Sequence, residues 1–581
     1  AETGNRGAFN TRDTFRVAVG TEGTLGNFDY DWYYQYGENK RFQTSSGQFN
    51  AANFRNALDA VVLDAGTPVE RIVCADPVAR SQGCVPINVF GVNAITPEAA
   101  AYVAFSPMRR SYNQQQVFGA NITSSFDVLD RDISFALGYE WREEKSLDDP
   151  DDLQEAGLHG GNVIPRTEGE YDVSGAYLEV LVPLLYDMPA FQDLTLEAAY
   201  RVDDYSTAGS VDASKIGLNW VVNDSFRARA VYAESVRAPD ISDLFSGQAQ
   251  TYTSISDPCT GLGTASEADM DPTVVANCYS IPDVANTAAN GSFDPDVGGI
   301  VPGFVYSQPD VQGISGFVGG NENLYEESAE TLTVGLVWTP GFAEGLAVSV
   351  DYYDIEIEDV IGSVSATRLI NECYGQQLWA TDGQPEQCSA HERFAGTGKL
   401  RYWYSFGVNQ SLYNSTGYDL AATYTVDDLI PGSLRMSLLY TRRDTHEFQT
   451  TTESTPFDYV GEVGFNEDKY KLTLVYEIGD FLISLDNTAY GSAQDDISQD
   501  KSAYHLNAVS TVWYTDLQVR YFPTDELQLY IGVDNLFNEN PPYCPSCNNE
   551  PSPGSHYTGT QYRPWESIFG YAGVRYTFGA N

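Results

Sequence analysis

The sequence predicts an all-β protein, namely a transmembrane antiparallel β-barrel with long extracellular loops and short periplasmic turns. Stretches of alternating apolar and polar residues recur along the whole chain. This alternation is typical of a strand with lipid on one face and a wet lumen on the other. Short and long connections alternate between these stretches, as they do in outer-membrane barrels. No run of about 18 apolar residues is present, so the sequence offers no transmembrane helix.

The last strand shows the alternation most clearly. Between Tyr571 and Phe578, the residues Val574 and Tyr576 lie on an apolar face, and Gly573 and Arg575 lie on the opposite face. Similar segments are found at residues 133–141, 194–200, 226–232, 346–352, 434–440 and 472–478. Charged residues in the middle of such strands require water on one side, which a large barrel provides. The pattern predicts about 17 strands in total.

The connections between strands are of two kinds. Short turns are predicted near residues 25–27, 128–130, 187–189, 223–224, 340–342, 427–429, 479–480 and 523–525. Long segments are predicted near residues 45–108, 148–167, 240–324, 363–400, 449–467, 495–509 and 539–565, while the connection near 205–212 is short where a long one is due. Two rows of aromatic residues, one beside the short turns and one a membrane thickness away, predict interfacial girdles. The first row is Phe126, Tyr186, Trp220, Trp338, Tyr424 and Tyr521, and the second is Trp141, Tyr200, Tyr232, Tyr352, Tyr440 and Tyr490.

The order of the connections gives each strand a direction. The last strand follows a long loop and the first precedes a short turn, so both run from the outside towards the periplasm. A chain with this arrangement has an odd number of strands, whereas bacterial single-chain barrels have an even number and open edges are not viable in lipid. We therefore expect a further N-terminal portion with an odd number of strands, which was truncated, is not observed, or is supplied by a second polypeptide.

The chain is strongly acidic, with 81 acidic and 32 basic residues and a net charge of −49. This charge argues against a nucleic-acid partner, because the phosphates would be repelled. Two interpretations remain, a solvated outer surface or attraction of divalent cations and cationic ligands. The acidic run at residues 148–152 allows the same choice between a solvated loop and an ion site, since it lacks the ligand spacing of an EF-hand.

The eight cysteines form four local pairs, which favours loop disulfides made in an oxidising compartment. The pairs are Cys74/Cys84, Cys259/Cys278, Cys373/Cys388 and Cys544/Cys547. The last pair is also compatible with a redox or zinc motif, but no second CxxC and no histidine cluster accompanies it. The chain begins at Ala1 without a signal segment, so we expect that a signal was removed or lies upstream.

Several segments, in order along the chain, resemble the TonB-dependent outer-membrane receptors. They are residues 234–245 (ESVRAPDISDLF), 320–331 (GNENLYEESAET), 350–361 (VDYYDIEIEDVI), 532–538 (GVDNLFN) and 571–578 (YAGVRYTF). The chain departs from the family pattern at Glu322 and Glu326, which replace prolines, and at the three residues that follow Phe578. Residues 84–99 resemble a long-loop segment of the same family.

The resemblance implies a barrel of about 22 strands closed by an N-terminal plug. It also implies a TonB box that couples transport to the inner membrane through the TonB–ExbB–ExbD system. On this basis residues 1–578 are a partial barrel, without the plug, the TonB box or about five first strands. The expected surroundings are outer-membrane lipid and lipopolysaccharide in the bacterial outer membrane.

The sequence shows no catalytic residues, no metal site and no cofactor motif, because the histidines are scattered and His391-Glu392 lacks the second histidine of a zinc motif. Aromatic residues of the longest loops are candidates for stacking on sugars or flat chelates, with packing of the loops as the alternative. They are Tyr252, Phe304, Tyr306, Trp379, Tyr402, Trp403 and Tyr404. On the lumen wall, Arg227, Arg229, Arg435 and Arg575 are candidates for attracting an anionic siderophore.

These features favour an energy-coupled importer of a scarce small nutrient, either iron–siderophore, another metal chelate or an oligosaccharide. The net charge opposes an anionic ligand at the loops and leaves neutral saccharides and cationic complexes open. The alternatives are a passive porin-like channel and a barrel-anchored surface adhesin.

Overall fold

The structure is a computed structural model that describes residues 4–128, 131–253, 255–427, 430–449, 455–494, 497, 508–543, 562 and 568–578. Seventeen long strands form its wall. They are β1 (Gly7–Leu25), β2 (Phe28–Ser46), β3 (Met108–Asp127), β4 (Asp132–Pro150), β5 (Thr167–Met188), β6 (Phe191–Tyr205), β7 (Gly209–Asn223), β8 (Phe226–Arg237), β9 (Glu327–Trp338), β10 (Leu346–Ser363), β11 (Leu400–Val426), β12 (Ser433–Gln449), β13 (Asp468–Ile478), β14 (Phe481–Tyr490), β15 (Val512–Thr524), β16 (Leu527–Asp534) and β17 (Phe569–Tyr576).

Each wall strand pairs antiparallel with the next wall strand along the chain, from β1 through to β17. The predicted fold class is therefore confirmed, and the predicted number of strands agrees with the wall. Within the described residues no ladder joins β1 to β17. The expectation of additional N-terminal strands stays a prediction.

Long and short connections lie at opposite edges of the wall. The short ones span residues 26–27, 128–131, 189–190, 224–225, 339–345, 427–432, 479–480 and 525–526. The long ones span 47–107, 151–166, 238–326, 364–399, 450–467, 491–511 and 535–568, and the short turn 206–208 lies at the same edge as these. The two-residue turn at Gly26 places that glycine at φ +68°, a left-handed conformation that suits glycine.

The two faces of the wall differ as the alternation predicts. Apolar side chains such as Leu137 and Ile216 are exposed on one face. At the short-turn edge of this face Trp220 stacks on Phe191, and Trp338 stacks on Phe226. At the other edge, on the same face, Tyr440, Tyr470 and Trp513 form a stacked row.

One residue predicted for the outer girdle lies on the other face. Tyr490 pairs directly with Lys469, whereas Tyr470 of the stacked row pairs with Ala489. Because direct partners in a ladder point to the same side of the sheet, Tyr490 faces the lumen with Lys469. Its assignment to the girdle is wrong, since the interfacial row continues through Tyr470 to Trp513.

The lumen face is polar and has tyrosine rings lying over glycines. A Cβ atom at Gly138 would meet the Tyr177 ring at 2.2 Å, and one at Gly119 would meet the Tyr33 ring at 2.5 Å. Tyr177 of β5 also donates a hydrogen bond of 2.9 Å across β4 to Asn121 of β3. Glycine is therefore required where a large ring crosses the adjacent strand.

The long connections contain short helices, most of which begin at Asn, Asp, Thr or Ser caps or at proline. The helices are Ala51–Leu58, Pro77–Ser81, Pro97–Val103, Asp152–Glu155, Ile241–Phe245, Ala265–Asp269, Pro272–Tyr279, Pro282–Asn290, Gln308–Gln312, Ala366–Gly375, Trp379–Asp382 and Glu386–Ala390. None of the helices in the described part of the chain is long and apolar enough to cross a membrane. Short strands accompany them at Gln48–Phe49, Ala60–Leu63, Arg71–Cys74, Ala104–Phe105, Ala249–Tyr252, Ser292–Asp294, Gly299–Val301, Ser315–Gly319, His391–Arg393, Phe457–Asp458, Ala493–Gln494 and Ala508–Val509.

The connections 238–326 and 364–399 fold together around one buried cluster, which we call the loop core. Its residues are Ile255, Cys259, Leu262, Cys278, Val284, Ala288, Phe304, Ile314, Ala366, Ile370, Cys373, Tyr374, Leu400 and Trp403. Strand Ser315–Gly319 pairs parallel with residues 402–406 of β11, and antiparallel with Ala249–Tyr252. The first residues of β11 thus carry the loop core directly on the wall.

Candidate functional site

A cavity of about 810 Å³ lies on the lumen side of the wall, towards the edge that carries the long connections. Its volume lies within the usual range for small-molecule sites. The ends of β1 to β4 supply Arg12, Arg41, Arg109 and Asp148 to its lining, and Gly407 of β11 lies on the other side. The loop strands beside Gly407 complete the lining. We call this space the lumen cavity.

Arginine side chains dominate the charged lining of the lumen cavity. Arg12 and Arg41 are direct partners in the ladder between β1 and β2, so they point to the same side. Arg41 donates a 2.9 Å hydrogen bond to the amide oxygen of Asn10 and a second hydrogen bond to Gln43. Arg109, in contrast, makes a two-pronged ion pair with Asp148.

The two remaining arginines form no ion pair with the described residues. In the described part of the chain neither Arg12 nor Arg41 has a carboxylate oxygen within 4.0 Å. A guanidinium presents a planar set of donors that matches carboxylates and other oxyanions. The pair therefore offers donors and positive charge to a ligand within the lumen cavity.

The lumen arginines singled out in the sequence lie elsewhere on the wall. Arg229 forms an ion pair of 2.6 Å with Asp351, and Arg227 donates a hydrogen bond of 2.6 Å to Asn219. Arg435 lies in β12 and Arg575 in β17. None of these four residues lines the lumen cavity. Because Arg229 is already paired with a carboxylate, its charge is largely offset.

Two aromatic candidates are buried in the loop core. Phe304 is 0% exposed and Trp403 is 5% exposed. Their rings pack within the loop core, which explains their burial, and contact of these two residues with a ligand stays a prediction. The hydrophobic effect favours this arrangement, because it removes apolar side chains of both connections from water.

Two further candidates also support the loop core. Tyr306 donates a 2.6 Å hydrogen bond to Asp257, and its ring packs at 79° against Phe304. Trp379 packs on the ring of Tyr374 and donates its indole N–H to the carbonyl of Cys373. Both side chains have their polar atoms engaged within the protein.

The remaining three aromatic candidates lie together on one face of the small loop sheet. The register places Tyr252 and Tyr402 on either side of Ser315, with Tyr404 beside Phe317. Phe317 stacks on Tyr404 with the ring centroids 5.7 Å apart. Tyr252 is 52% exposed. Contact of these three rings with a ligand stays a prediction.

A buried ion pair joins the two connections that form the loop core. Arg393 donates hydrogen bonds of 2.6 Å and 2.9 Å to the two carboxylate oxygens of Asp257. Arg393 also donates a 2.8 Å hydrogen bond to the Tyr374 hydroxyl. Burial opposes ionisation of Asp257, but the charge of Arg393 and these hydrogen bonds hold the pKa of that carboxyl below its usual range.

A histidine lies against the same ion pair. The Nε2 atom of His391 lies 3.1 Å from the hydroxyl oxygen of Tyr374. Burial, together with the positive charge of Arg393, lowers the pKa of His391 to about 4. The imidazole is therefore neutral at physiological pH.

Six cysteines form disulfides, and two residues of the acidic run 148–152 have partners within the protein. The structure bonds Cys74 to Cys84, Cys259 to Cys278 and Cys373 to Cys388, while Cys544 and Cys547 lie outside the described residues. Asp148 pairs with Arg109, and Asp151 caps the helix Asp152–Glu155. No group of three or more potential metal ligands occurs among the described residues.

The comparison with protein families identifies the class of this chain. Residues 2–536 match the family described as TonB dependent receptor-like, beta-barrel. The chain therefore belongs to the TonB-dependent receptor family, whose barrels are found in the bacterial outer membrane. It matches none of the curated proteins with which it was compared.

Two solved structures have a fold similar to that of this chain. The siderophore receptor PirA from Acinetobacter baumannii has 13% identity and a TM-score of 0.53, and the alignment covers 98% of this chain and 63% of PirA. The ferric enterobactin receptor PfeA from Pseudomonas aeruginosa, in complex with BCV-L6, has 14% identity and a TM-score of 0.50, with coverage of 98% and 81%. At these identities the likeness shows the fold. The chain spans less than two thirds of the length of PirA.

Proposed function

We propose that this chain forms the wall and outer loops of a receptor that imports a scarce small nutrient across the outer membrane. In this proposal energy reaches the receptor from the inner membrane through the TonB–ExbB–ExbD system. The long connections face the outside, where they capture the ligand, and the apolar face of the wall contacts lipid and lipopolysaccharide. Membership of the receptor family supports this proposal.

We further propose that the ligand is an anionic metal chelate, such as an iron–siderophore complex. The observation that carries this proposal is the pair Arg12 and Arg41, which project into the lumen cavity without a carboxylate partner in the described part of the chain. In a chain with a net charge of −49, a cationic or neutral ligand would not require this arrangement. The siderophore receptors of similar fold are consistent with it.

Uptake measurements with the full-length receptor test the proposal. Cells that lack their own receptors are supplied with radioactive iron bound to anionic catecholate and hydroxycarboxylate chelators, with and without a functional TonB system. We expect TonB-dependent uptake of at least one chelate. Replacing Arg12 and Arg41 by alanine is expected to lower its affinity about tenfold per arginine, because a hydrogen bond to a charged group contributes about 1.5–3 kcal/mol.

The matched control is Arg442→Ala. Arg442 is also an exposed arginine near the long connections, but its partners are Asp444 and Glu467 and it does not line the lumen cavity. Unchanged uptake in the double variant would contradict the role of the two arginines. Uptake without TonB, or a large steady conductance of the intact protein, would favour the porin-like alternative, and adhesion without uptake would favour the adhesin.

A further inference from the structure

A second cavity, of about 620 Å³, lies between the two connections that build the loop core. Helix Pro282–Asn290 contributes Asn286 and Asn290 to its lining, and the hairpin that follows contributes Phe293. Lys399 and Phe394 approach from the other connection. We call it the outer pocket. It shares no lining residue with the lumen cavity.

Contacts between the two connections hold the outer pocket in shape. Lys399 is 8% exposed and forms an ion pair with Asp310 across the pocket. The Thr287 hydroxyl donates a 2.9 Å hydrogen bond to the carbonyl of Thr397, which again joins one connection to the other. The buried Asp257–Arg393 ion pair joins the same two connections. A pocket whose walls are fixed in this way loses little conformational entropy when a ligand binds.

The charges of the outer pocket cancel. Among its lining residues, Lys399 and Asp310 are the ones charged at neutral pH, and they are paired with each other. The pocket therefore differs from the lumen cavity, where Arg12 and Arg41 have no carboxylate partner in the described part of the chain. A strongly charged ligand would find no uncompensated partner in the outer pocket, which favours a neutral one.

The remaining lining combines side-chain amides with exposed apolar rings. Asn290 donates hydrogen bonds of 2.9 Å and 2.8 Å to the main-chain and side-chain oxygens of Asn286, which orients both amides. Phe293 is 60% exposed and Phe394 is 49% exposed, although both line the pocket. Amides serve hydroxyl groups as donors and acceptors, and an exposed ring offers an apolar surface beside them. This pairing suits a ligand with hydroxyl groups on its edge and apolar C–H groups on its face.

We propose that the outer pocket binds a neutral saccharide, with the sugar ring on Phe293 and its hydroxyl groups on Asn286, Asn290 and Lys399. Because the pocket shares no residue with the lumen cavity, this binding is separate from capture of the imported ligand. The outer pocket would then attach the receptor to glycans outside the cell, whichever nutrient the lumen cavity accepts.

Saccharide binding to the purified full-length receptor in detergent tests this proposal. The probes are glucose, galactose, N-acetylglucosamine, maltose and lactose, each measured by saturation-transfer NMR and by calorimetry. We expect at least one of them to bind. We expect the double variant Asn286→Ala/Asn290→Ala to weaken that binding about tenfold, which is the loss for one or two hydrogen bonds. We expect Phe293→Ala to weaken it by a similar factor, because one stacking contact is lost.

The variants are chosen so that loss of folding does not explain the result. Asn286, Asn290 and Phe293 are exposed, and hydrogen exchange of the loop core shows whether it remains intact. Phe342→Ala is the matched control, since Phe342 is 84% exposed but lies in the connection 339–345 at the opposite edge of the wall. Equal saccharide affinity of the pocket variants and the parent protein would overturn the proposal, as would no binding of any probe.

A further variant separates this proposal from the proposed function. Arg12→Ala/Arg41→Ala should leave saccharide affinity unchanged while it lowers chelate affinity, because these residues line the lumen cavity alone. If the same two arginine substitutions abolish saccharide binding, the saccharide occupies the lumen cavity, and the outer pocket is not its site.

Discussion

The buried ion pair between Asp257 and Arg393 should control the stability of the loop core. The Asp257 side chain is 0% exposed and that of Arg393 is 9% exposed. In Arg393→Met the carboxylate keeps its hydrogen bonds from the Tyr306 hydroxyl and the Cys259 N–H but loses its countercharge. Removing one partner of a buried ion pair costs about 3–5 kcal/mol, because the other charge remains buried without compensation.

The expected effect is local, because the ion pair joins two loop connections and the wall strands pair independently of it. Hydrogen exchange of amides in the loop core therefore measures the effect better than unfolding of the whole protein. A loss of about 3–5 kcal/mol accelerates exchange through opening by about a hundredfold to a few thousandfold. Exchange in the middle of β7 and β8 should stay unchanged, which provides an internal reference.

Two further variants decide whether the reasoning is correct. Asp257→Leu/Arg393→Met removes both charges, and its loop core should be more stable than that of Arg393→Met alone. Arg442→Met removes an exposed arginine with carboxylate partners, and it should cost less than about 1 kcal/mol. The reasoning is refuted if exchange in Arg393→Met stays within about threefold of the parent protein, or if the double variant is as unstable as the single one.

Three other changes should alter the stability of the loop core or of the wall. Cys373→Ser/Cys388→Ser opens a disulfide with a sequence separation of 15, which should destabilise the loop core by about 3 kcal/mol in denaturant unfolding. Gly138→Ala places a Cβ 2.2 Å from the Tyr177 ring and should cost about 1–3 kcal/mol, measured as a lower unfolding midpoint, whereas Tyr177→Phe should be tolerated better. The pKa of His391 is lowered to about 4 in the folded protein, whereas in the unfolded chain this residue binds a proton near pH 6.5. Loop-core stability should therefore decrease by up to about 3 kcal/mol as the pH falls from 6.5 to 4. His391→Gln should remove that part of the pH dependence.

The wall could be predicted from the sequence because local patterns determine it. Alternation identifies each strand, and a two-residue turn fixes the register of the hairpin around it. Leu25 lies opposite Phe28 across the turn at Gly26, so the register alone places Arg12 opposite Arg41. The sequence therefore contains the signal for this pair, although strand alternation alone points to Arg227 and Arg229 instead.

The loop core could not be predicted in the same way, because residues distant in the chain determine it. Asp257 and Arg393 are 136 residues apart, and strand Ser315–Gly319 pairs with a segment of β11 beyond the second connection. Phe304 lies in an irregular segment, so no periodicity marks it as buried. Trp403 lies in β11, where alternation alone does not show which side chains the loop core covers. Composition alone does not distinguish an exposed aromatic residue of a loop from a buried one.

Strand β11 connects the loop core to the wall. Its first residue, Leu400, belongs to the loop core and lines the outer pocket. Gly407 lines the lumen cavity. Residues from Gly407 onward pair with β10, and those from Leu412 onward also pair with β12. The first part of β11 pairs with the strand Ser315–Gly319, whose residues Val318 and Gly319 line the lumen cavity. Opening of the loop core therefore displaces this side of the lumen cavity. Loss of the Asp257–Arg393 ion pair should therefore also reduce ligand affinity in the lumen cavity, whereas a variant of the outer pocket rim such as Phe293→Ala should not.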